Sequence, residues 1–171
     1  MKKVHILFYL ASLFLFSCTS TSNIYTNITA DGGQLIFLRP MEVVSKNKEI
    51  TKFSADITVH VKDGSITQNP IVNYTITRKI TSPFDVDSFN LGFYSDNYSF
   101  FTTEKKLLYK NVVKEHFIET RFTSEIDKDL FLTHLLNENP HGFVLSTNNF
   151  DDEVVFSEEL DNRLSKLKVM L

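Results

Sequence analysis

The chain has 171 residues, of which 42% are hydrophobic and 23% charged, the balance of one ordinary globular domain rather than of a disordered or fibrous chain. A formal net charge of −3 gives no gain from counterion release, so nucleic acid is not an expected partner. The one cysteine, Cys18, excludes an internal disulfide, a thiolate zinc site, an iron–sulfur cluster and a redox pair.

Lys2 and Lys3 make a positive start, and residues 4–16 are then apolar except for His5 and Ser12. As a helix this run spans roughly 20 Å, short of the ~30 Å hydrocarbon core of a bilayer. That is the length of a signal-peptide apolar region rather than of a permanent span. Leu15, Phe16, Ser17 and Cys18 follow. They resemble the lipobox of bacterial lipoproteins, with an aliphatic residue three before the cysteine and a small one just before it. Phe16 departs from the pattern, being bulkier than the usual residue there.

The resemblance is confined to the leader and its cysteine. It implies that residues 1–17 are a signal peptide, and that the Cys18 thiol takes a diacylglyceryl group. The amine freed by cleavage would take a further chain. One acyl chain binds a membrane marginally, whereas two or three anchor it stably. No Asp follows the cysteine, which by the same resemblance implies an outer-membrane lipoprotein facing the periplasm. Residues 18–30 are expected to form the lipidated N-terminus and a polar, uncharged tether. Residues 31–171 are expected to form a single β-rich domain.

Asp31, Gly32 and Gly33 signal a turn, and residues 34–38 form a short apolar run ended at Pro40. Residues 53–61 alternate strictly. Phe53, Ala55, Ile57, Val59 and Val61 share one face, with Ser54, Asp56, Thr58 and His60 opposite, which is the pattern of a half-buried strand. Asp63 and Gly64 then predict a two-residue hairpin turn. Residues 71–80 give a second strand, with Val72, Tyr74, Ile76 and Ile80 on one side. Phe84 and Val86 have one parity and Phe89, Leu91 and Phe93 the other, so a bulge or break is expected near Asp87 and Ser88. Further strands are expected over residues 98–103, 107–113 and 116–122.

The period then changes. Residues 124–136 predict a short helix, with Ser124 and Asp127 as its capping pair and Asn137 to Pro140 as its stop. A closing hairpin is expected from residues 143–147 and 153–156. Ser157 should cap a final helix bearing Leu160, Leu164, Leu167 and Leu171 on one stripe. The sum is a mainly β protein: an antiparallel β-sandwich or partly open barrel with one short helix and a C-terminal helix.

Catalytic patterns are weak. There is no Gly-x-Ser-x-Gly elbow and no phosphate loop. A metal site from His134, His141, Asp151 and Asp152 lacks any ligand spacing, so no metal or cofactor is expected. His60 is expected in solvent, and Glu115 and Glu119 are the only carboxylate pair singled out, on one strand face. The densest feature is aromatic. Phe89, Phe93, Tyr94, Tyr98, Phe100 and Phe101 form either core or a patch for a partner or ligand. Adjacent Phe100 and Phe101 point to opposite faces, so one needs a second apolar environment, from the final helix or another chain. The expected function is a non-catalytic envelope binding or assembly module, tethered to the membrane through Cys18, with an envelope protein as partner. The alternatives are a carrier of a small apolar ligand or lipid and an envelope hydrolase.

Overall fold

The computed structural model describes residues 23–43, 49–83, 85–95, 98–138, 140, 142–147 and 150–171. The expected leader, Cys18, Phe84 and His141 therefore lie outside the described residues, as do the side chains of Asp151 and Asp152. The elements are β1 (Ile24–Ile28), β2 (Gln34–Val43), β3 (Ile50–Lys62), β4 (Ser65–Ile66), β5 (Ile71–Lys79), β6 (Asn90–Tyr94), β7 (Ser99–Phe101), β8 (Lys106–Lys114) and β9 (Phe117–Glu125). Then come α1 (Lys128–Leu130), which widens into a π-helical segment (Phe131–Leu136), β10 (Gly142–Thr147), β11 (Phe150–Phe156) and α2 (Glu158–Met170).

All strand pairing is antiparallel. The larger sheet runs β1-β2-β3-β5-β9-β8, with β4 also on β3, and the smaller runs β11-β10-β6-β7. They pack as a sandwich around one apolar core, and neither sheet closes into a barrel. The alternation in β3 does what it predicts: Phe53, Ala55, Ile57, Val59 and Val61 are buried. Phe53 meets Phe143 of β10 across the sandwich, with ring centroids 5.2 Å apart. Asp63 (φ 52°) and Gly64 (φ 70°) make the β3–β4 hairpin turn, where both central residues need left-handed backbone.

Several expectations need correction. Residues 24–28, read as tether, form β1, because Tyr25 stacks on Phe37 of β2 at 5.0 Å and Ile24 is buried. Strand β2 does not stop at Pro40. The β2–β3 register shifts between Leu38 and Met41, and a bulge holding Arg39 and Pro40 asks no ladder hydrogen bond of the proline. Near Asp87, where either a bulge or a break is expected, the chain breaks: the Asp85 carboxylate accepts from Asp87 N at 2.9 Å. That bond is also the main reason its pKa is lowered. Ile80 lies past the end of β5 and is exposed. Ser124 is no helix cap; it belongs to β9, opposite Val72, and is buried. Asp127 alone caps α1, accepting from Asp129 N and Leu130 N at 3.0 Å each. The last helix is capped by Ser157 as expected, and Leu160, Leu164 and Leu167 are buried against β2, β10 and the π-helical segment.

Candidate functional site

The polar candidates come first. His60 is not in solvent: its side chain is 10% exposed. Its Nδ1 lies 2.5 Å from Thr67 Oγ1 and its Nε2 lies 3.8 Å from Asp31 Oδ1. Threonine, imidazole and carboxylate in that order invite a nucleophile reading, but 3.8 Å is too long for the bond that orients a catalytic imidazole. The Asp31 carboxylate is instead held by the Thr29 hydroxyl at 2.5 Å, which is the main cause of its lowered pKa. Gly33 lets the ring in, since a Cβ there would stand 2.9 Å from His60 Nε2. The cluster pins the β1–β2 turn to the β3–β4 hairpin.

Glu115 and Glu119 do not share a strand face. Glu115 is in the β8–β9 turn, whereas Glu119 accepts from the Tyr109 hydroxyl at 2.8 Å. Asp56, Asn73, Thr75 and Arg121 form a cross-strand ladder on the outer face of the larger sheet. Arg121 reaches Asp56 at 2.5 Å and Thr75 at 3.1 Å, and Asn73 reaches Asp56 at 2.8 Å. These groups satisfy one another. Among the described residues, no group of three or more His, Cys, Asp and Glu side chains is placed to hold a metal.

The six aromatic residues divide. Phe89 and Phe93 are fully buried and belong to the core. Phe93 stacks on Phe100 at 5.5 Å, and Phe100 passes the stack outward to Tyr98 and His134 at 6.0 Å each. Phe100 is thus the core-side member of the Phe100–Phe101 pair, packed beside Phe93, whereas Phe101, on the opposite face, meets no second apolar layer among the described residues and stays exposed. Tyr98 closes the stack, donating to the His134 carbonyl at 2.6 Å and serving one of the acceptors left over at a helix end. Burial raises the Tyr98 pKa. Tyr94 is half-buried. Phe101 is exposed and lies over Gly92, where a Cβ would be 2.9 Å from its ring.

The strongest feature is one that residue-by-residue reading passed over. All nine residues of β8 are exposed, although five of them are Leu107, Leu108, Tyr109, Val112 and Val113. The register explains why. Leu107 is opposite Phe122 and Val112 opposite Ile118, so both sit on the core-facing side of the larger sheet. Phe122 is buried, but Leu107 is 55% and Val112 67% exposed. The larger sheet therefore overhangs the smaller one by a strand, and its core-facing side, with Leu107 and Val112 flanking Lys110 opposite Thr120, continues past its cover. Register shifts between Leu107 and Tyr109 and between Val112 and Lys114 add Leu108 and Val113 as bulged residues. Being last in its sheet, β8 also turns the N–H and C=O of alternate residues away from β9. Lys106, Lys110 and Lys114 space positive charge along it. At its head lies a pocket of about 230 Å3, lined by Ile71, Thr103, Glu104, Lys106 and residues 123–125. Lys105 takes no part, because its Nζ donates to the carbonyls of Asp87 and Phe89 at 2.7 and 2.6 Å.

A second surface lies at the opposite end of the sheet order. A groove of about 620 Å3 runs between β1, at Ile24, Tyr25 and Thr26, and one stripe of α2, at Asn162, Ser165, Lys166, Val169 and Met170. Neither this groove nor the pocket is lined by the six aromatic residues. No protein-family model matches the chain, and neither the curated proteins nor the solved structures contain a significant match.

Proposed function

We propose that this chain is a lipid-anchored, non-catalytic binding module of a bacterial cell envelope. Acyl chains on Cys18 hold it to a bilayer, on the outer membrane facing the periplasm, and an extended segment of a partner protein adds to β8. The observation that carries the reading is the exposure of β8 along its whole length, with apolar residues on the side that continues the core. Strand addition would satisfy the outward backbone groups and cover Leu107 and Val112 in one step.

The lysines favour a partner strand bearing acidic residues, and they disfavour a second copy of this chain. In an antiparallel self-pairing centred on Lys110, Lys106 would face Lys114 of the other copy and Lys110 would face itself. A carrier of small apolar ligands has no comparable support, because the aromatic rings pack on one another.

A photo-crosslinking residue at Val112 in the native envelope tests the contact, with Asn162 as the comparison position. The expected result is a discrete adduct from position 112 alone. No adduct, or the same set from both positions, rejects β8 as the contact. Cys18→Ala should move the protein out of the membrane fraction; unchanged membrane association would reject the anchor.

A further inference from the structure

We propose that the groove between β1 and α2 is the membrane-facing surface of the domain and seats against the headgroups of an anionic bilayer. This rests on the acylated Cys18 proposed above. Only residues 19–23 separate that cysteine from Ile24. At about 3.4 Å per residue, β1 can stand no more than roughly 20 Å from the anchor. The face from which the chain leaves toward its lipid is therefore the face held at the membrane, and Ile24 lies in the wall of the groove.

The chemistry of that face suits a lipid interface. Val169 is 88% and Met170 45% exposed, both on the groove wall beside Lys166. Lys166 is the lysine of this lining, and α2 carries no acidic residue after Asp161. On the other wall Tyr25 is half exposed, backed by Phe37 and with the Arg39 guanidinium 5.6 Å from its ring centre. Apolar tips, an aromatic ring and cations on one face are what an interfacial membrane contact requires. The cations are attracted to anionic headgroups within a Debye length. The net charge of the chain is negative, so this attraction is local and would orient the body rather than merely collect it.

The single cysteine makes the test clean. Once Cys18 is acylated, Val169→Cys offers one thiol for an environment-sensitive fluorophore, and Val112→Cys offers a control on the far edge strand. The full-length lipoprotein is reconstituted into phosphatidylcholine vesicles with or without phosphatidylglycerol, using headgroup nitroxide lipids as quencher. The label at position 169 should shift to the blue and be quenched, more strongly with phosphatidylglycerol, while the label at 112 stays water-like. Lys166→Glu, a two-charge reversal within the groove lining, should reduce the phosphatidylglycerol-dependent part by about tenfold. A 169 label as wet as the 112 label, or both quenched equally, overturns the proposal. Mass spectrometry of the unlabelled protein separates the two failures: a bare Cys18 thiol removes the anchor itself, whereas an acylated Cys18 with a wet position 169 removes only this surface.

Discussion

Tyr74 sits in β5 with its ring against Phe89 at 5.7 Å and Phe122 at 5.5 Å, and its hydroxyl finds Ser124 at 3.4 Å. Burial pushes its pKa up to about 12. Because the folded value lies above the ordinary one near 10, the phenol contributes stability below about pH 10, and that contribution is lost as pH rises through about 12. Ultraviolet titration should therefore show a late step near pH 12 from Tyr74, beside the raised ionisations of Tyr98 and Tyr109. Tyr74→Phe should abolish that step and cost under about 1 kcal/mol in denaturant melts, since the bond lost is long. Arg163 is the opposite case, a charge inside. Its Nη1 donates to the Arg39 carbonyl and its Nη2 to Glu159 at 2.6 Å, while burial lowers its pKa. Arg163→Ala should cost about 2–3 kcal/mol, because it leaves the carbonyl unbonded and opens space beside Leu164. Arg163→Met, which keeps the apolar stem, should cost less in the same melts. Tyr74 was legible from alternation. Arg163 was not, because a stripe of leucines every three or four residues says nothing of a charged residue lying within it.

At the level of elements, strong periodicity translated well, whereas the stop at Pro40 and the cap at Ser124 did not. Nine residues of period two gave β3, and the leucine stripe with a serine before it gave α2 with its cap. The misreadings share a cause: a tertiary partner replaced the local signal. Pro40 stays within β2 because a bulge absorbs it, and Ser124 remains a strand residue because β5 pairs with it. Short β1 owes its existence to Phe37 and β2 rather than to its own alternation. Gly92 is legible in the sequence as a sign of close approach, which glycine inside a strand marks. A Cβ there would lie 2.6 Å from the Phe100 carbonyl oxygen. Gly92→Ala should therefore push β7 from β6, cost about 1–3 kcal/mol, and strip hydrogen-exchange protection from residues 99–101. Unchanged protection there would contradict the close packing.

For the whole molecule, composition and pattern reached the architecture, two antiparallel sheets around a Phe-rich core, but not the order of strands. That order decides what β8 is. Its apolar content matches that of a covered strand, and only its place at the end of the larger sheet, beyond the cover of the smaller, exposes it. The aromatic run was conspicuous in the sequence yet proved largely internal, whereas the candidate contact consists of ordinary leucines and valines between lysines. Sequence reveals residue types; it does not reveal where a sheet stops.

The evenly spaced lysines of β8 carry one more consequence. Mutual repulsion between copies weakens as ions crowd in, the screening distance shrinking from about 8 Å near physiological ionic strength to about 3 Å at 1 M. Ordinary charge-paired dimers dissolve under such conditions; this chain should do the reverse. Sedimentation in rising sodium chloride should reveal a growing dimer fraction, and Lys110→Gln should bring its onset to lower concentration. A protein that stays monodisperse across that range would mean the bulges, and not the charges, keep neighbours apart.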